Sequence, residues 1–509
     1  MWIGLRFRDY TKGNVTMDRE TVVLAIDIGS SSVRAALFDA EGEQRGLCAQ
    51  KHYRLDVDSD GKAAVGFVRL LRYTAGVIDE VLRGVPPKMT IAGVALSTFW
   101  HSLVGVDGRM RPTTPVMIWA DRRASSMAAA LTGVVDTRAL HQQTGCPLHS
   151  SFWPARLRWL AKDDPAVFTS TRFWLSAADL FFYELFGVLC TSSSMASGTG
   201  LFDLNRICWN QLALDSAGIE ENALPAVSDD PYRHLLPKYA RRWPQLAQVP
   251  WFPAKGDGGC SNVGAGCVDD GHIVFMLGTS GSMRIVWQAD QVAMADSGLW
   301  CFRIDRRYVA GGMALSEGGN AAAWARKTLA LGNGKTLEAR LAAMRPDAHG
   351  LTVLPYFLGA RSPLWRDGRT AVFAGITAAT TSLEMYRATL ESVACRFAIL
   401  KKRLDAARPG KRRIVATGGA LLRSSVWSQM IADCLNEEVS ISGIDEGSLR
   451  GAALLALESL EVLPSLGALG CPVAGSARPN HEAHERYVKA IERHDALDRL
   501  ILSEHSRGE

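Results

Sequence analysis

Two short runs place small residues and hydroxyls at the ends of apolar stretches. Asp27-Ile28-Gly29-Ser30-Ser31-Ser32 follows the run Thr21 to Ile26, and Gly278-Thr279-Ser280-Gly281 follows His272 to Leu277. A glycine lets the backbone approach a ligand, the hydroxyls donate, and successive N–H groups in a turn form a concavity suited to phosphate. Asp27, at its strand end, could hold a magnesium ion through water, because that ion favours few carboxylates and several waters. One such run is equally an ordinary β-turn. Two on matching strands can grip a triphosphate from both sides.

A third constellation is Lys255-Gly256-Asp257-Gly258-Gly259-Cys260. Glycines on either side leave the Asp257 carboxylate uncrowded, and a helix beginning near Cys260 would aim its N–H groups at incoming anions. A carboxylate there can accept the proton of an attacking hydroxyl; an Asx-turn or a helix cap is the plainer alternative. In the fourth, Gly418-Gly419-Ala420 precedes Ser424, Trp427, Gln429 and Asp433. Two glycines at a strand-to-helix turn admit a flat ring such as adenine, or simply open a helix.

The elements that must position these residues alternate in type. Thr21–Ile26 and Val33–Asp39 read as strands, Phe67 to Leu82 as a helix, and Ile91–Leu96 as a strand ending at Ser97-Thr98. The pattern returns in His272–Leu277, Ser282–Trp287 and Arg413–Thr417, so α/β layering and a duplicated lobe are expected, with a boundary near 265–270. Residues 1–20 read as an N-terminal extension, 21–268 as the first lobe, 269–460 as the second, and 461–509 as a helical tail packed on the second lobe. Between about 120 and 250 the chain reads as helical and loop-rich. Its spread of Trp153, Trp159, Trp174, Trp209, Trp243 and Trp251 suits either a substrate pocket or a core.

Bulk properties narrow the class. At 509 residues, with 47% hydrophobic and 21% charged residues, the chain is an ordinary globular one of more than one domain. An excess of 57 basic over 52 acidic residues is too thin to argue for nucleic acid. The ten cysteines form no C-x-x-C pair, which is cytosolic usage. Met1 to Tyr10 lacks a secretory core, and no stretch has the apolar length of a membrane helix, so no membrane partner is expected.

These motifs, taken in order, resemble the FGGY carbohydrate kinases over about residues 21 to 460. The resemblance rests on Asp27-Ile28-Gly29 with its serines, Trp119-Ala120-Asp121-Arg122-Arg123, Asp257 to Gly264, Gly278 to Gly281, and Gly418-Gly419 with Trp427-Ser428-Gln429 and Ala432-Asp433. His101-Ser102-Leu103, Ser194 to Phe202 and Leu354 to Trp365 are similar to the gluconokinase branch. The resemblance implies an actin-like, ribonuclease-H-type fold in both lobes and ATP with Mg2+ in the cleft between them. It implies Asp257 as the catalytic base, Asp27 at the metal, and Gly29, Ser30, Ser31, Ser32, Gly278, Thr279, Ser280, Gly418, Gly419 and Ala420 at the nucleotide. Trp100, His101, Trp119 and Asp121, with Asp257, would line the pocket of a small sugar or sugar acid, D-gluconate first. Xylulose or another ketose or polyol is the alternative acceptor; a non-catalytic sugar- or nucleotide-binding regulator and an actin- or chaperone-like ATPase are the alternative functions. Either a monomer or a homodimer is compatible. Trp100 stands where many relatives have Met, and Trp153 to Trp159 departs from the family's first signature. His149, Phe152 and Trp153 are therefore further pocket candidates.

Overall fold

The computed structural model describes residues 21–294, 298–332 and 334–505, so the expected extension at 1–20 lies outside the described residues. Two sheets organise the chain. The first comprises β1 (Thr21–Ile28), β2 (Ser32–Phe38), β3 (Gln44–His52), β4 (Thr90–Thr98) and β5 (Lys255–Gly256), in the order β5-β4-β1-β2-β3. The second comprises β6 (His272–Leu277), β7 (Gly281–Gln288), β8 (Trp300–Arg303), β9 (Tyr308–Leu315), β10 (Arg413–Thr417), β11 (Val439–Ser442) and β12 (Val473–Ala477), in the order β8-β9-β7-β6-β10-β11-β12.

The two sheets share a five-strand pattern. β1 pairs antiparallel with β2 and parallel with β4, as β6 does with β7 and β10. β3 and β9 lie on the antiparallel side, β5 and β11 on the parallel side. The expected repeat of strand, small-residue loop and strand is thus a repeat of topology. Strands β1 and β6 are the apolar, β-branched runs of the sequence, and such strands need cover on both faces. For the first sheet that cover comes from α1 (Phe67–Arg83), whose Phe67, Leu70, Thr74, Val77, Ile78 and Val81 form one buried stripe, and from α5, described next.

Two helices tie the halves together. α2 (Asp257–Gly264) follows β5, and α5 (Gly447–Ser459) follows β11. α2 packs on α5 and touches β7 and β9 of the second sheet, while α5 lies against β1 and β4 of the first. The backbones nearly touch: a Cβ on Gly264 would lie 1.9 Å from the Gly447 carbonyl oxygen, and one on Gly451 would lie 1.8 Å from that of Cys260. Neither position admits a side chain without separating the helices.

α3 (Ser382–Ala407) opens with a capping box between Thr381 and Glu384, and α4 (Ser425–Leu435) follows the Gly418-Gly419 turn. α6 (His481–His505) packs on α3 and α4. The strand β12 precedes it and extends the second sheet, so the stretch expected to be a helical tail also contributes an edge strand. The region 120–250 contains short helices and two-stranded ribbons. Trp153, Trp174, Trp209, Trp243 and Trp251 are buried in its cores. Among the described residues no helix is long and apolar enough to cross a membrane.

Because Gly451 has no room for a methyl group, Gly451→Ala should cost about 1–3 kcal/mol and lower the midpoint of thermal unfolding. Gly475→Ala, where a Cβ meets nothing within 4 Å, should leave it unchanged. Equal midpoints for the two variants would mean that the helices can part without penalty.

Candidate active site

Asp257 is the first residue of α2, three positions earlier than the helix start expected near Cys260. The strand β5 pairs parallel with the end of β4, Gly256 opposite Thr98, and so fixes where the helix begins. Oδ1 of Asp257 accepts the Gly258 N–H at 2.8 Å, and the Trp100 N–H also hydrogen-bonds the carboxylate. Burial, reinforced by the negative charge of Asp27, raises the Asp257 carboxyl to about 6 against the opposing pull of Arg284. A base tuned so near neutrality can take a hydroxyl proton and release it again.

Asp27 sits opposite Ser97 in the β1–β4 pair. One carboxylate oxygen takes Arg34 Nη2 at 2.6 Å, and Arg34 Nη1 reaches Glu446 Oε2, just ahead of α5, at 2.5 Å. The other oxygen, Oδ1, is buried with no hydrogen-bond partner, as is Oγ of Ser97. A free carboxylate oxygen electrostatically coupled to a second carboxylate fits Mg2+, which Asp27 would hold directly or through water. Gly29, Ser30, Ser31 and Ser32 form the tight turn after β1, closed by Gly29 N–H to the Ser32 carbonyl at 2.9 Å.

Three glycine turns meet at the ends of the second sheet's strands. Gly278 N–H donates to the Ser280 carbonyl at 3.0 Å, and the Gly278 and Thr279 carbonyls accept from Gly319 and Asn320 at 2.8 and 3.0 Å. The Gly318-Gly319 turn after β9 was not foreseen; the pair of glycines between an apolar strand and a helical run was its signal. Gly418 has φ +92°, and a Cβ there would sit 2.7 Å from the Leu277 carbonyl, so its turn is stacked on the end of β6. Gly419 and Ala420 begin the short helix that follows. A side chain at Gly419 would collide with Arg423, whose guanidinium covers this turn.

A cavity of about 90 Å3 lies beside Asp257 and between the two halves. It brings together Trp100, His101, Trp119 and Asp257 from the sequence-derived set, along with Ser280, and adds Phe152 from the further candidates. His101 is buried, which lowers its imidazole to about 3; neutral, it donates from Nδ1 to the Gly198 carbonyl at 2.5 Å and leaves Nε2 as an acceptor. Asp121 lies outside the lining of this cavity, its carboxylate held by Arg123 Nη2 at 2.7 Å and the Ala63 N–H at 3.1 Å. It does not cap the following helix either, whose N-cap is Ala124. Trp153 is core, its Nε1 donating to the Ser102 carbonyl at 3.1 Å. His149 stands behind the cavity, its Nε2 3.1 Å from Oδ1 of Asp367.

The second half supplies lining that the sequence reading missed or left without a role: Arg284, Trp300, Phe302, Arg361 and Trp365. Arg284 is buried on β7, with Nε bonded to Asn262 Oδ1 at 3.0 Å and Nη2 without a partner. Its burial lowers the guanidinium to about 10 despite the attraction of Asp257. Arg361 lies over the Trp119 ring at 5.1 Å and the Trp365 ring at 5.7 Å, and its Nε is unpartnered. An arginine in the middle of an otherwise apolar strand was the available signal for Arg284. Arg156, also missed, is a buried hub whose guanidinium donates to the carbonyls of Ser150, His101 and Ile118 at 2.8, 2.7 and 2.5 Å and so fixes three segments around the cavity.

Two α/β lobes of like strand order, with glycine turns at the strand ends and a carboxylate at the head of an interlobe helix, define a two-domain phosphotransferase of the actin-like type. The chain belongs to the FGGY family of carbohydrate kinases, matching its N-terminal domain over residues 22–264 and its C-terminal domain over residues 273–460. It is 26% identical to the gluconokinase of Bacillus subtilis (strain 168), covering 95% of this chain and 97% of that one. It is likewise 26% identical to the xylulose kinase of Lactococcus lactis subsp. lactis (strain IL1403), over 88% and 90%. The solved gluconate kinase of Lactobacillus acidophilus superposes with a TM-score of 0.87 at 23% identity, covering 96% of this chain and 100% of that one.

To serve as the base expected from the sequence, Asp257 would have to be ionised. The activity kcat/KM should therefore be level above about pH 7 and fall about tenfold per unit below pH 6, as the carboxyl is protonated. Asp257→Asn should lose at least about 10²-fold in kcat while retaining nucleotide affinity, read by coupled ADP release and by calorimetry. Wild-type turnover in that variant would remove Asp257 from the chemistry.

Proposed function

We propose that this kinase transfers the γ-phosphoryl group of ATP to a hydroxyl of a sugar acid, with D-gluconate as the reference acceptor. The observation that carries the reading is the pair of arginines facing the cavity, buried Arg284 and half-buried Arg361, each with a buried guanidinium nitrogen lacking a partner. Glu317 and Asp367 offset part of the charge of Arg361, but buried guanidinium donors left unpaired are costly, and a ligand carboxylate offsets that cost more fully than a neutral ketose does. Asp257 offsets part of the charge of Arg284, yet Asp257 is needed free to take a proton. The similarity to gluconokinases supports the same choice.

The chain's own groups account for each step. The cavity holds the acceptor with one hydroxyl toward Asp257, which takes its proton as the oxygen bonds to the γ-phosphorus. The bond to the β–γ bridging oxygen breaks in line, and ADP leaves. Backbone N–H groups of the turns at 29–32, 278–280 and 418–419 would hold the donor's phosphates, and Asp27 would hold Mg2+. That ion, when bound, offsets charge developing on the transferred group. Aromatic walls from both lobes exclude water, which limits wasteful hydrolysis of ATP.

With MgATP and a panel of sugar acids, ketoses and polyols, the acids should show the highest kcat/KM, gluconate well ahead of D-xylulose. Arg284→Met should raise KM for the acids by about 10- to 100-fold, the scale of a hydrogen bond to a charged group, while leaving nucleotide affinity unchanged. Preference for a ketose over every acid would replace this reading and leave the family assignment standing.

A further inference from the structure

Ten cysteines are scattered through the sequence, and the fold brings two of them together where the chain passes between the lobes. Sγ of Cys267 lies 3.7 Å from Sγ of Cys471, although 204 positions separate them in the chain. Sulfurs at that separation are in contact. Cys267 stands in the connector between α2 and β6, and Cys471 just ahead of β12. Both lie outside the two segments that match the family's domains.

The backbone holds the two sulfurs there. Gly266 has φ +74°, and a Cβ on it would lie 1.8 Å from the Gly470 carbonyl oxygen and 2.9 Å from Cα of Cys471, so the two segments touch main chain to main chain. The Cys267 N–H donates to the Asn262 carbonyl of α2 at 3.0 Å, and the Pro472 carbonyl accepts from the Gly443 N–H at 3.0 Å. Gly443 follows β11 directly, where the chain turns back toward α5 and the first sheet. The segment 470–472 therefore touches both crossings between the lobes. Cys267 also packs with Ala265, Val274 of β6 and Val415 of β10, and Cys471 lies against the same cluster.

The two thiols differ as an attacking and a resolving cysteine must. Cys267 is buried, whereas Cys471 is half-buried. The S–H of Cys267, hydrogen-bonded to its sulfur, holds the Cys471 thiol below its ordinary range; positive charge from His272, Arg413 and Arg450 adds to this against the opposing effect of burial. The same hydrogen bond, with burial and the nearby Asp269, pushes Cys267 up. His272 is itself paired with Asp269, Nδ1 to Oδ1, at 2.7 Å. Thiolate character and access thus fall on one sulfur, and the other is held against it.

We propose that Cys267 and Cys471 are a reversible disulfide site, oxidised by hydrogen peroxide, and that the bond clamps the crossing between the lobes behind Asp257. The Cys471 thiolate attacks one peroxide oxygen and the O–O bond breaks. The departing oxygen takes a proton and leaves as water, and Cys471 carries a sulfenic acid. The Cys267 sulfur then bonds to that of Cys471 as the sulfenic oxygen departs with the Cys267 proton, as a second water. Two electrons pass from the thiols to the peroxide, and a dithiol reductant returns both. The clamp ties the tail of α2, whose head is Asp257, to the edge of the second sheet. Any movement between the lobes as substrates enter and products leave has to work against it. None of this depends on which acceptor the kinase uses.

The test treats the reduced full-length enzyme with hydrogen peroxide, maps its cysteine peptides by mass spectrometry after alkylation, and measures thermal unfolding and turnover before and after dithiothreitol. A Cys267–Cys471 cross-link should appear and vanish on reduction. Because it closes a long loop, the oxidised form should unfold several degrees higher, while kcat falls and recovers with dithiothreitol. Cys471→Ser should abolish the cross-link and both effects, and Cys267→Ser should leave a sulfenic acid at Cys471 that dimedone traps. Peroxide treatment that leaves both thiols free, or that carries Cys471 to a sulfinic acid with no cross-link, overturns the site. A cross-link that leaves kcat unchanged overturns the clamp and keeps the site, as does a loss of turnover that persists in peroxide-treated Cys471→Ser. If either variant fails to fold, the peptide map and reversible kcat of the wild-type enzyme decide.

Discussion

The contact between α2 and α5 is the constraint from which the active-site geometry follows. Gly264 and Gly451 bring the two helix backbones together with no side chain between them. Because α2 continues from the first sheet and touches the second, and α5 does the reverse, this crossing fixes the halves relative to each other. It also places the N-terminus of α2, and so Asp257, within the field of Asp27 from one lobe and Arg284 from the other. A loop could not hold a carboxylate there as firmly. Position is set by backbone contact, which leaves the charges near Asp257 free to tune its chemistry.

That tuning is a balance among three ionisable groups. Burial and Asp27 push the Asp257 carboxyl up, and Arg284 pulls it down. Asp27 is restrained by Arg34, which in turn is anchored by Glu446 next to α5. The same helix pair that positions Asp257 therefore also carries the support of the Asp27 carboxylate. Several polar atoms stay unsatisfied: Oδ1 of Asp27, Oγ of Ser97 and Ser282, Nη2 of Arg284 and Nε of Arg361. Buried groups of this kind are costly in an ordinary core and are expected where a protein is built to meet ligands.

The legible part of the site was the part encoded locally. Gly278 to Gly281 and Gly418-Gly419 announce their turns because glycine and hydroxyl residues follow apolar strands directly, and Asp257 stands out between glycines. The first lobe's Trp100, His101 and Trp119 were reached through the family resemblance. Arg284 and Phe302 were not reached, and Arg361 and Trp365 were reached only as part of the Leu354 to Trp365 segment without a role, because all four come to the cavity across the lobe interface and no local spacing links them to His101 or Asp257. Asp121 and Trp153 misled for the complementary reason. A carboxylate beside Arg123 and an indole beginning a helix look functional in isolation, and only packing shows the first engaged by its neighbours and the second donating to a backbone carbonyl in the core. In the fold, the repeat of strand order was visible, while the helix start at Asp257 was misplaced because the glycines at 258 and 259 are poor helix formers that only tertiary packing recruits.

The two lobes divide the lining of the cavity between them. The first lobe contributes Asp257, the turn at 29–32 and most of the aromatic rings lining the cavity, while the second contributes Arg284, Arg361 and the glycine turns at 278–281 and 418–419. Neither lobe alone has a complete acceptor site. His149 with Asp367 and Arg361 over Trp119 are contacts that join the two lobes beside the cavity. On the proposed reading, an acceptor carboxylate that satisfies the guanidinium groups would strengthen the contact between the lobes, and exclusion of water there would strengthen the electrostatic coupling of Asp257 to Asp27 and Arg284. Water offers no carboxylate to Arg284 and Arg361, so on that reading it would not draw the lobes together. Selectivity against hydrolysis and selectivity for the acceptor would then draw on one interaction, the neutralisation of Arg284 and Arg361.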